Sequence, residues 1–139
     1  MGFFMQTTNA QARKIINDHI KAFTGIPQAA INWENQANFK PPTTTLWCRV
    51  TIDYADSKES CLYNGLMIRD YGIISIQCFA PKGTGDLLLV SLADAWREHW
   101  NGFNFGDVWV TKTHAPKIAR AEPTDLYIMA LVRADFRVN

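Results

Sequence analysis

One continuous run constrains this chain more than any other: Tyr71-Gly72-Ile73-Ile74-Ser75-Ile76-Gln77-Cys78-Phe79-Ala80-Pro81-Lys82-Gly83-Thr84-Gly85-Asp86, followed directly by Leu87 to Trp100. Its first part is apolar and rich in β-branched and aromatic residues, which suits a buried strand. Pro81 to Gly85 reads as a tight turn. Asp86 falls where a helix begins, and a carboxylate there suits the helix dipole. Thr84 or Gly85 is the expected cap. Leu89, Leu92, Ala93, Trp96 and Trp100 then share one helical face, which Leu88, Ala95 and His99 widen. A strand and a helix joined by so short a turn must lie against each other. The unit therefore predicts a sheet with a helix packed on its face.

The remaining patterns extend that prediction. Ala12, Ile15, Ile16, Ile20 and Phe23 recur at spacings of three or four after Thr7, Thr8 and Asn9, any of which can cap a helix. Thr24-Gly25-Ile26-Pro27 ends this helix, with Gly25 suited to the C′ position. Leu46 to Tyr54 alternates strictly, with Trp47, Arg49, Thr51 and Asp53 on the face opposite the aliphatic side chains. Leu66 to Phe79 reads as a long strand that bends at Gly72. Val108 to Thr113 is a further strand, broken at Ala115-Pro116. Tyr127 to Val138 is the last and longest, with Ile128, Ala130, Val132, Ala134, Phe136 and Val138 on one face. Residues 36–45 read as a long polar loop, residues 55–65 as a polar loop or hairpin tip, and Glu122 to Asp125 as a turn. The expected fold is α+β: a mostly antiparallel sheet with two main α-helices on one face.

Length and composition fit one domain spanning residues 1–139. Hydrophobic residues make up 47% and charged residues 19%, which is enough apolar material for a core. The net charge is only +1, and basic and acidic residues are interspersed. A dedicated nucleic-acid binder usually carries a basic excess, so none is expected here. Arg69, Arg133 and Arg137 read first as a solvated sheet face. No apolar stretch approaches the roughly 20 residues that span a bilayer. Met1 to Met5 is apolar but lacks the basic leader and long apolar stretch of a signal peptide. A soluble, cytoplasmic protein is the expectation.

Chemistry has few footholds. Cys48, Cys61 and Cys78 lack the spacing of a zinc site or a disulfide framework. Cys48 and Cys78 fall in strands and read as small apolar side chains, whereas Cys61 lies in a polar stretch. His19, His99 and His114 have no ligand partner at short spacing and read as surface or capping residues. Ser60 and Ser91 lack a nucleophile elbow. The Gly83–Gly85 turn at a helix start resembles a phosphate cradle, yet matches neither a Walker A loop nor G-x-G-x-x-G. A small ligand-binding or enzymatic domain using that turn is the alternative reading. The expectation is a non-enzyme with no catalytic residue, cofactor or metal. Trp33, Trp47 and Trp109, together with Phe39 and the loop charges Lys58 and Glu59, are the candidate assembly surface. Aromatics off the main core mark either an interface or a second minor core.

Several segments together resemble the tail terminator-like, or tail-completion, family of long-tailed phages and prophages. They are the N-terminal helix, Ile31-Asn32-Trp33-Glu34-Asn35, Phe39-Lys40-Pro41-Pro42, Leu46-Trp47-Cys48-Arg49-Val50, the run from Arg69 to Gly85, the helix after it, and the strand Tyr127 to Val138. The resemblance implies an α+β fold and a structural, non-catalytic role in virion assembly. It implies a homo-oligomeric ring, typically a hexamer, that caps the tail tube, ends its polymerisation and offers the head-joining surface. The implied partners are the tail tube protein and a head-completion or connector protein. The implied setting is the host bacterial cytoplasm during assembly, then the head-proximal end of the virion tail.

Overall fold

The computed structural model describes residues 8–34, 39–55, 58–61, 67–83, 86–119 and 127–138. Helix α1 runs Asn9–Lys21. Thr8 caps it: the Gln11 N–H donates to Thr8 Oγ1, and the Thr8 N–H donates to Gln11 Oε1. Its C-cap is Ala22, and Gly25 does not take the left-handed conformation expected of a C′ glycine. Gly25 instead leaves room for the Phe23 ring, whose Cζ would lie 2.4 Å from a Cβ at that position.

After a 3-10 turn at Gln28–Ala30, the chain enters β1 (Ile31–Asn32), β2 (Trp47–Tyr54), β3 (Lys58–Cys61) and β4 (Met67–Pro81). Helix α2 is Leu87–Trp100, and β5 (Asn104–Phe105), β6 (Val108–Thr113), β7 (Lys117–Ala119) and β8 (Tyr127–Val138) complete the order. The backbone of 58–61 is a strand paired antiparallel with the start of β4, which fits the hairpin alternative rather than a loop. Thr84 and Gly85, Asp56 and Ser57, residues 36–38 and 62–66, Met1 to Met5, and the turn at 122–125 lie outside the described residues.

The sheet runs β1-β2-β4-β8-β6-β5, with β3 beside β4 and β7 beside β8. The fold is α+β, as expected. β1 and β2 pair in parallel, and the remaining described pairings are antiparallel. β4 and β8 form the centre, in continuous register from Asp70↔Val138 to Pro81↔Tyr127.

Even-numbered residues of the central strands face the core. Cys48, Val50, Ile52, Ile74, Ile76, Cys78, Ala80, Ala130, Val132, Ala134, Phe136 and Val138 are all buried. α2 crosses them with Leu89, Leu92, Ala93, Trp96 and Trp100, and α1 adds Ala12, Ile16 and Ile20. Trp96 joins α2 to the end of α1 and to the sheet: its ring stacks on Phe23 at 3.6 Å, and its Nε1–H points to Cys48 Sγ at 3.4 Å. Leu88, expected to widen the buried face, is 65% exposed. It shares its helix flank with Ala95 and His99, which are half-buried.

Candidate functional site

The outer sheet face carries the odd-numbered residues, and the candidate aromatics divide there. Trp47 lies at one end of β2, opposite Phe79 on β4. Its ring stacks on Phe79 at 4.1 Å and meets Tyr127 and Phe39 at 5.5 Å each. The Tyr127 hydroxyl donates to the Pro42 carbonyl at 3.0 Å, which draws the Pro-rich segment over this end of the sheet. Trp47 is left 5% exposed. Within the folded chain it is packed into the core by Phe39, Phe79 and Tyr127. Phe39 is the half-buried lid of that core.

Trp33 sits elsewhere, in a cleft of about 340 Å³ that it lines with Arg13, Asn17, Glu34, Val50 and Ile52. The sheet edge explains this cleft. β1 pairs with β2 only at Cys48 and Arg49, so β2 continues past it. Glu34 takes over: one carboxylate oxygen accepts the Ile52 N–H, and the other meets Arg13 Nη1 at 2.9 Å. A carboxylate and a helix cation thus occupy an edge that would otherwise offer bare main-chain groups. The ion pair is 40% exposed on the Arg13 side and 33% on the Glu34 side, so screening leaves it a small contribution.

Trp109 lies at the opposite end of the sheet, on the hairpin β5–β6. Gly106, with φ of 57°, makes the turn, and the Trp109 Nε1–H donates to its carbonyl at 3.2 Å. The Arg137 guanidinium lies 4.8 Å from the Trp109 ring centroid. Trp109 remains 38% exposed, and Phe105 on the same hairpin is 64% exposed. Phe105 borders a groove of about 230 Å³ against α1, shared with Ile15, Asp18, His19, Ala22 and Phe103. Phe105 escaped the sequence reading because a two-residue strand has no periodicity to detect. Lys58 and Glu59 lie on β3, and their side chains are outside the described residues.

The histidines are engaged in specific bonds. His19 and His99 stack on each other, joining α1 to α2. His114 Nε2 lies 3.1 Å from both carboxylate oxygens of Asp135, and the His114 N–H donates to the Arg133 carbonyl. Among the described residues no group of three or more His, Cys, Asp or Glu could hold a metal ion. At the start of α2, Asp86 is the N-cap residue but makes no side-chain capping bond, and Leu87 beside it is exposed. No helix is long and apolar enough to cross a membrane among the described residues.

Comparison with known proteins gives a fold relationship. No family model matches the chain, and no curated protein does. A solved structure whose name carries no functional description aligns with a TM-score of 0.59 and 14% identity, over 91% of this chain and 95% of the other. At that identity the likeness concerns the fold alone.

Proposed function

We propose that this protein is a structural tail-completion protein of a long-tailed phage or prophage, not an enzyme. It caps the finished tail tube as a ring of copies, typically six, stops tube growth and presents the surface to which the head joins. It acts in the host bacterial cytoplasm and ends in the virion at the head-proximal end of the tail. Its partners are further copies of itself, the tail tube protein and a head-completion protein. The combination of sequence segments from α1 to β8 that resembles the tail terminator-like family carries this reading.

The shape of the chain supports it. Phe105 and Trp109 are held outward on a short, locked hairpin at one end of the sheet, and the Trp33 cleft opens at the other. The adjacent exposed rings of Phe105 and Trp109 form the kind of apolar patch that contact sites use. A contact between two different ends of one subunit is heterologous, and such contacts close into rings when the rotation permits.

The decisive experiment is deletion of the gene in the phage or prophage that carries it, followed by electron microscopy of the particles. Overlong tails lacking heads are expected, and supplying the protein restores tails of uniform length joined to heads. Tails of normal length bearing heads in the deletion strain would overturn the proposal.

A further inference from the structure

His19 and His99 are 80 residues apart in sequence and meet where the last turns of α1 and α2 converge. His19 Nε2 lies 2.7 Å from the His99 carbonyl oxygen, and His99 Nε2 lies 2.6 Å from the His19 carbonyl oxygen. A carbonyl oxygen only accepts, so each Nε2 carries a hydrogen and each Nδ1 is the basic site of a neutral ring. Each imidazole thereby caps the C-terminal end of the other helix. The two rings stack at 3.8 Å with 12° between their planes. Phe103 stacks on His19 at 3.9 Å, so His19 lies between two rings.

The surroundings offer little counter-charge. On α1 the nearest charged residues in sequence are Asp18 and Lys21, and Asp18 is already bonded to Lys14 Nζ at 2.8 Å. On α2 they are Arg97 and Glu98, both exposed. The other groups packed on the pair are the uncharged rings of Phe23, Trp96, Trp100 and Phe103. The hairpin that Phe103 leads into carries Asp107 in its turn, and besides burial the groups acting on His19 are those of His99.

One added proton suits this arrangement. It enters at Nδ1, leaves the Nε2–H bond in place, and puts a cation beside helix C-terminal carbonyls, where a positive charge is favoured. A second proton does not suit it. Two parallel cations would then lie in van der Waals contact in a half-buried site, where their repulsion is poorly screened. We infer that the His19–His99 pair is an acid-operated clasp, which holds α1 to α2 with one or no added proton and is forced apart by the second. Burial pushes the His19 ring below the ordinary histidine range, the same direction. The effect reaches the sheet edge. Phe103 leans on His19, and its carbonyl accepts the Val110 N–H at 2.9 Å, so opening the clasp loosens the hairpin that presents Phe105.

The test is an NMR titration of the imidazole carbons of the full chain from mildly alkaline to acid pH, with amide exchange in the last turn of α1 and at Val110. The two rings should titrate in linked steps rather than independently. Exchange at those amides should rise through the second step. His99→Gln keeps a donor for the His19 carbonyl but cannot take a proton. In that variant His19 should titrate in one step, and the acid-induced rise in exchange should shrink to the part that burial of His19 alone produces. Independent titration of the two rings in the wild-type chain would overturn the clasp, as would an unchanged rise in His99→Gln. Should His99→Gln fail to fold, the wild-type titration alone decides.

Discussion

The ring of Phe136 occupies the space that a side chain at Gly72 would need. The two residues are register partners on β8 and β4. A Cβ at Gly72 would lie 2.5 Å from Phe136 Cζ and 2.6 Å from the Asp53 carbonyl oxygen on the other neighbouring strand. Tyr54, paired with Gly72 from β2, meets Phe136 edge-on at 5.5 Å, so two aromatics close over one glycine. Gly72→Ala should cost about 1–3 kcal/mol, the usual range for overpacking, in urea unfolding. Phe136→Leu in the same chain should not restore stability, because the Asp53 main chain cannot move aside.

Trp96 is fully buried between Phe23, Cys48 and the sheet. Trp96→Ala should lower unfolding free energy by ~3–5 kcal/mol. A loss below about 1 kcal/mol is typical of surface positions and would mean that α2 presents a different face.

Cys48 and Cys78 are register partners with sulfurs 3.7 Å apart, and both are fully buried and free. The Cys48 thiol beside it, together with burial, pushes the Cys78 thiol far up, so it stays protonated and unreactive. Peptide mapping after alkylation should find both cysteines unmodified in the native chain and both modified in denaturant. Modification under native conditions would contradict this packing.

Stability should fall on mild acidification. The folded His19 has its proton affinity lowered, chiefly by burial. The unfolded chain therefore takes up this proton first, from about pH 6.5 downward. The His19 contribution is fully present above that pH, is lost as pH falls toward the folded value, and is flat below it. Urea midpoints at pH 7.5 and 5.5 should differ more in the wild-type chain than in His19→Gln. Equal differences would show that His19 is not the source.

The outward and inward tryptophans should separate fold from assembly. Trp109→Ser and Phe105→Ser should change unfolding free energy little, by about 1 kcal/mol or less, and under the proposed role they should impair tail completion. Trp47→Ala should instead cost ~3–5 kcal/mol of stability, as a buried aromatic does. Intact tail completion in the Phe105→Ser/Trp109→Ser double variant would remove this hairpin from the assembly surface.

Periodicity within single elements was legible from the amino-acid sequence. The faces of α1, β2 and β8, the buried set Leu89, Leu92, Ala93, Trp96 and Trp100, and the α+β class all follow from residues repeating at 3.6 or 2, because burial of one face imposes that repeat. β5 and β7 were too short to show any period. β3 was hidden because Lys58-Glu59-Ser60-Cys61 is polar, and its pairing with β4 is set by the partner strand. Which off-core aromatic is wet depended on long-range packing: the Phe39 segment and Tyr127 cover Trp47, while the last edge of the sheet leaves Trp109 and Phe105 uncovered. The His19–His99 bonds span 80 residues, and nothing local to either histidine encodes the other. Only the tertiary structure, by bringing two helix ends together, decides that a capping residue on each helix caps its neighbour.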